Sequence, residues 1–393
     1  MQTPKHILPV IVIAQFCCTS LWFAGNGILP QLTETFLLPN TALSWLTSAV
    51  QFGFIVGTFV FALLTIADRF SPTRVFFICA ILGAAANLCL LFENNTLESL
   101  VAFRFLTGVF LAGIYPVGMK IASDYYETGL GKSLGFLVAA LVLGTAFPHA
   151  LQSSEMFFSW KTVLVAISIL SATGGLLLLL FVGDGPYRKP AQKLQLTTIT
   201  NIFKNRSFRK AAFGYFGHMW ELYAFWAFVP VLLKAYSLQA GSASLNISAS
   251  SFAIISVGSL GCMAGGAISK YIGSEKVARI SLLISGSCCL LSPVFFTAQP
   301  ILFYSFLLVW GMAVIADSPM FSTLVAQRAV SEQKGTALTI INCIGFATTI
   351  VSIQLLSYLS ELVAPTYLFL VLAIGPIFGL ISMGRSKSKT VSA

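Results

Sequence analysis

Residues 184–210 read DGPYRKPAQKLQLTTITNIFKNRSFRK, a polar stretch with seven Lys and Arg that divides the chain in two. Six apolar runs precede it and six follow. A helix crosses a ~30 Å hydrocarbon core in about 20 residues at 1.5 Å each. Runs of that length fall near 7–29, 44–67, 75–93, 99–121, 133–151 and 158–183, then near 211–236, 250–272, 280–297, 301–327, 336–358 and 365–384. Composition agrees: 57% of the residues are hydrophobic and 9% charged, with mean hydropathy +0.87. A soluble domain carries about a quarter charged residues. The expected fold is an all-α polytopic membrane protein of twelve transmembrane helices. It divides into a six-helix bundle (1–183), a basic linker (184–210) whose LTTITNIF piece could lie on the membrane surface, a second six-helix bundle (211–384) and a tail (385–393). The apolar run at the N-terminus outlasts a signal-peptide core and reads as a retained first span.

The charges set the orientation. With both termini cytoplasmic, 20 of the 23 Lys and Arg fall on the inner side, Lys161 and Lys234 fall outside, and Arg104 lies within a span. That asymmetry is the positive-inside pattern. It accounts for the net charge of +10 without a nucleic-acid partner. The eight Cys all lie in apolar runs, form no CxxC, and read as small packing residues. A phosphate-loop pattern GxxxxGK[ST] and a metal motif HExxH are both absent from the sequence, so neither a nucleotide drive nor an enzyme is expected, and no cofactor.

The halves repeat faintly. ADRFSPTRVFF from Ala67 matches SKYIGSEKVAR from Ser269 at a shift of 202, so that Asp68 meets Lys270 and Arg74 meets Lys276. Tyr115-Pro116 in the fourth run stands where Ser318-Pro319 stands in the tenth. Such an internal repeat is a transporter architecture.

On these residues the chain resembles the major facilitator superfamily over essentially its whole length. That family's loop between spans two and three follows G-x-x-x-D-R-x-G-R-[RK]. Here Asp68 and Arg69 are kept, Leu64 and Ser71 replace the glycines, and the later Arg is Arg74. The second copy keeps Gly266 and Gly273 but has Lys270 for the acid. The span-four pattern R-x-x-x-G is present as Arg104 and Gly108, whereas the span-five antiporter motif survives only as Gly135, Gly144 and Pro148. GYFGHMWELY, from Gly214, is similar to bacterial members. The resemblance implies two pseudo-symmetric bundles around a central cavity lined by spans one, four, seven and ten. It also implies a cytoplasmic gate at Asp68, Arg69 and Arg74 that latches the bundles in one state.

Few ionisable groups lie at membrane depth: Arg104 in the fourth run, His218 and Glu221 in the seventh, Asp317 in the tenth. All sit on the helices the resemblance assigns to the cavity. Such residues are costly in hydrocarbon and mark ion, proton or substrate sites. His218 and Glu221, one turn apart, could share a proton. Each group also has a structural reading: Glu221 as a packing partner, Arg104 as a brace, Asp317 as a cap before Pro319. Trp22, Asn26, Tyr115, Trp220, Tyr223 and Trp310 are the expected substrate-cavity residues, because aromatic faces grip organic solutes. Rings facing lipid would look the same in sequence.

The expectation is a monomeric multi-pass protein of the bacterial inner membrane. It would move a small organic solute or anion by alternating access, coupled to protons, with Arg104 as an anion's partner. Two alternatives remain: a proton-driven exporter of drugs or amphipathic cations, with Glu221 and Asp317 as the cation's partners, and a non-transporting nutrient receptor.

Overall fold

The computed structural model describes residues 4–126, 130–153, 159–188, 199–241, 245–330 and 334–384. The linker from 189 to 198 and the tail from 385 lie outside the described residues. Backbone in lipid must satisfy its own polar groups, and a chain this apolar does so as helix. Among the described residues eleven helices are long and apolar enough to cross a membrane, and Ile7–Thr19 is a shorter apolar one.

The first span is longer than the sequence suggests and is broken. It runs as Ile7–Thr19, Ala24–Gly27 and Leu29–Phe36, with the last piece restarted by Pro30 in its first turn. Gly27 is fixed by a close approach: a Cβ there would sit 2.8 Å from Cβ of Pro148. The following spans are Ala42–Leu63, Pro72–Leu91, Leu97–Tyr125, Ser133–Gln152 and Trp160–Phe181. The seventh, Arg206–Gln239, begins inside the stretch read as linker, because Asn205 caps it by accepting from the backbone N–H of Ser207 and Phe208. The rest are Ile247–Ile272, Ser274–Phe296, Pro300–Arg328, Lys334–Leu359 and Pro365–Met383.

The fourth and tenth spans break at matching places. The fourth is Leu97–Leu111 then Tyr115–Tyr125, and the tenth is Pro300–Ala316 then Ser318–Arg328, each second piece opening with a Pro in its first turn. Proline cannot donate to the preceding turn, so it tolerates only such a restart. The repeat seen in sequence is therefore a repeat of helix geometry.

Small residues bring the helices of each half together. A Cβ on Gly53 would lie 2.0 Å from the carbonyl oxygen of Phe105, and one on Gly108 2.1 Å from that of Val50, so the second and fourth spans touch backbone to backbone. Gly261 against Met312 and Gly311 against Ile254 repeat this between the eighth and tenth. This is the close packing that small residues allow in lipid. The halves meet along two seams, the second span against the eleventh and the fifth against the eighth.

Candidate functional site

The seventh span runs outward and the tenth runs inward, so their facing residues form an antiparallel ladder. Trp310 and Asp317, two turns apart, lie on one face of the tenth. Trp310 Nε1 donates to Glu221 Oε1 at 2.6 Å, and Cys289 Sγ of the ninth span donates to the same oxygen at 3.3 Å. One rung inward, His218 Nδ1 lies 2.7 Å from Asp317 Oδ1. His218, Glu221 and Asp317 are each about 1% exposed. Asp317 is also the hinge residue, ending one helix and opening the next.

This corrects the expected pairing. Glu221 does not share a partner with His218, which pairs instead with Asp317. The three-residue offset turns Glu221 toward the ninth and tenth spans. The acids thus sit in the interior of the second half, not on open space between the halves.

Arg104 stands alone in the first half. It is fully buried, donating from Nη1 to the carbonyl of Leu21 at 3.0 Å and from Nη2 to that of Trp22. The break in the first span leaves the Trp22 carbonyl without a backbone donor among the described residues, while that of Leu21 accepts a 3.4 Å turn bond from Ala24. Arg104 Nε has no partner, and no carboxylate lies within ion-pair distance among the described residues.

Between the halves lies a knot of rings. Trp22 stacks on Tyr223 at 5.8 Å and on Phe346 at 5.7 Å between centroids, and packs against Phe54 at 4.8 Å. Phe23 and Trp226 extend it. Trp22 Nε1 donates to Gln51 Oε1, and Asn26 Nδ2 to Thr47 Oγ1, tying the first span to the second. Trp22 and Tyr223 therefore meet across the two halves, where they touch and fill the centre. Tyr115 is half-buried at the break in the fourth span.

The structure directs the other two tryptophans elsewhere. Trp220 faces the twelfth span, donating to the carbonyl of Val371 at 3.2 Å and packing on Gly375. Trp310 is enclosed by Phe225, Phe306 and Phe369 inside the second half. Residues the sequence reading passes over take their place: Phe23, Gln51, Phe54 and Phe346. Gln51 was findable as a lone amide in an apolar span. The phenylalanines were not, because a phenylalanine facing lipid gives the same signal.

In this conformer the cytoplasmic loop is held within its own half. The resemblance has Asp68 help latch one half to the other. It pairs instead with Lys120 of its own half at 2.9 Å, and Lys120 reaches Asp124 at 3.6 Å. Arg188 braces the same corner, donating to the carbonyls of Asp68 and Phe70 and pairing with Asp184 at 2.9 Å. Arg69 and Arg74 make no ion pair among the described residues. In the second half Glu275 takes the acid's part, with Arg328 at 2.5 Å and Arg279 at 3.1 Å. The role that Lys270 could not fill has moved five residues on.

A family model described as Major Facilitator Superfamily matches residues 11–353. The chain belongs to this superfamily. Among curated relatives, it is 30% identical to the niacin transporter NiaP of Acinetobacter baylyi over 158 residues, 35% of this chain and 36% of that protein. It is 24% identical to an uncharacterized transporter of Buchnera aphidicola over 179 residues, 45% of this chain and 43% of that one. These matches thus span less than half the length of either relative. Among solved structures, a mutant form of the nucleoside transporter NupG superposes with TM-score 0.72 at 16% identity, covering 96% of this chain and 100% of that one. The human organic anion transporter MFSD10 superposes with TM-score 0.75 at 14% identity, covering 97% of this chain and 100% of that one. The fold is that of the superfamily's transporters, in which family and structural neighbours carry solutes and are not enzymes.

Proposed function

We propose that the protein is a secondary transporter that moves a small organic solute through the inner membrane by alternating access, coupled to protons. Residues 1–183 and 211–384 act as the two rocking bodies, joined by 184–210, and one chain suffices because both halves of the passage come from it. The observation that carries the coupling is the His218–Asp317 pair: a carboxylate and an imidazole 2.7 Å apart, almost wholly buried, at the hinge of the tenth span. A proton exchanged there alters the charge at a mobile joint, which biases one state over the other. Glu221, held by Trp310 and Cys289, is the second candidate acid.

The test is proton movement in proteoliposomes holding the purified protein and an internal pH dye. Pools of organic acids, nucleosides, vitamins, sugars and cationic drugs serve as challenge, since the named relatives carry niacin and nucleosides. Wild type should move protons with at least one pool, and Asp317→Asn should not. Solute flux without protons would remove the coupling. Loss of coupling in Glu221→Gln but not in Asp317→Asn would move it to the outer rung of the ladder.

A further inference from the structure

Three buried hydrogen-bond donors border the ring cluster at the break in the first span, and none has an acceptor: Arg104 Nε, Gln51 Nε2 and Trp226 Nε1. Trp22 links them. Its carbonyl accepts from Arg104, its indole donates to Gln51 Oε1, and its ring stacks on Tyr223, which packs edge-on against Trp226. The acceptors beside them, Gln51 Oε1 and Thr47 Oγ1, already receive from Trp22 and Asn26. A group that accepts would satisfy these three donors.

The electrostatics select the same group. Arg104 is a full charge in a dry setting, with carbonyl dipoles for partners and no carboxylate within ion-pair distance among the described residues. The first half thus lacks one negative charge at membrane depth, and buried charges are paired. The shape of the solute is given by the rings. Trp22 lies near-parallel to Tyr223 (29°) and to Phe346 (26°), and these stacks join opposite halves. Rocking the halves apart would uncover flat π faces beside the guanidinium.

We propose, building on the transporter reading, that the solute is a flat aromatic monocarboxylate. Its carboxylate is held by Arg104 with Gln51 and Trp226 donating, and its ring lies among Trp22, Tyr223 and Phe346. One unpaired cation calls for one negative charge. A proton taken up in the second half would accompany it, so the loaded carrier adds no net charge.

Binding to the full-length protein in detergent tests this without depending on transport. Calorimetric titration would compare benzoate, 4-hydroxybenzoate and 1-naphthoate with their amides and with anilinium. At least one acid should bind roughly tenfold or more tightly than its amide, the scale of a hydrogen-bonded charge left unmatched. Arg104→Gln, checked for monodisperse elution, should lose that preference. If this variant does not fold, the acid–amide comparison in wild type still decides. Amides or anilinium binding as well as the acids, no binding by any acid, or a preference kept in Arg104→Gln would overturn the proposal. The two readings fail separately: protons driven only by cationic or neutral pools would keep the transporter and sink the carboxylate.

Discussion

At the scale of residues, the buried polar groups of the second half act in two pairs whose members depend on each other. Trp310 donates to Glu221, so Trp310→Phe keeps an aromatic ring, a smaller one, and removes the bond. A buried acceptor left short of a partner costs about 1–3 kcal/mol. Trp310→Phe should therefore melt earlier than wild type in detergent, and Glu221→Gln, which still offers an oxygen, should lose less. Equal melting of Trp310→Phe and wild type would mean that the bond contributes nothing. The His218–Asp317 pair has a sharper signature. His218→Phe leaves a buried carboxylate alone, a loss of about 3–5 kcal/mol. The double variant His218→Phe with Asp317→Asn removes the charge as well and should recover part of that stability. A thermal double-mutant cycle reads the difference, and simple additivity would rule out direct coupling.

At the scale of elements, the helix breaks and the glycine seams serve opposite ends. Breaks at residues 20–23, at 112–114 and at Asp317 put carbonyls and a carboxylate where an unbroken helix would offer none. Seams lock neighbouring helices of one half into a body that moves as a unit. Gly53→Ala should destabilise by about 1–3 kcal/mol, because its methyl would lie 2.0 Å from a backbone oxygen that no side-chain rotation can clear. Gly266→Ala meets nothing within 4 Å and should be neutral or gain up to about 1 kcal/mol from helix propensity. Melting curves of the two variants, made side by side, test whether the seam or glycine itself matters.

At the scale of the whole molecule, the halves are joined by side chains on the outer side. Gln354 Nε2 donates to the carbonyl of Ser44 at 3.2 Å and to Ser48 Oγ at 3.0 Å, linking the eleventh span to the second. Asn246 Nδ2 donates to the carbonyl of Ser153 at 3.0 Å, linking the other seam. Just outside the Gln354 contact opens a cavity of about 470 Å³, lined by Asn40, Leu43, Phe228, Val231, Ser357 and Glu361 among others. At the cytoplasmic face, the ion pairs of Asp68 and Glu275 stay within their own halves. Side chains thus bridge the halves at the outer ends of both seams. Gln354→Ala should raise the rate at which an impermeant maleimide labels Ser48→Cys from the outer face, in a background where Cys89 and Cys343 are Ser. An unchanged rate would mean that ring packing alone holds the outer side shut.

Much of this was legible in the sequence. Span length and hydropathy determined twelve crossings, because an apolar run of about 20 residues satisfies its own backbone in lipid only as a helix. Lys and Arg placement determined orientation, and the Pro of Tyr115-Pro116 and Ser318-Pro319 marked two of the breaks. The four deep ionisable residues were visible because charge is rare in such spans. Their partners were not. Helical phase on two antiparallel spans, which only the packed helices set, put His218 with Asp317 and Glu221 with Trp310. The tertiary structure also turned Trp220 and Trp310 away from the centre and brought Phe54 and Phe346 into it. A ring facing lipid and a ring facing its opposite half are both apolar, so hydropathy cannot separate them. The packing of the helices decides which is which.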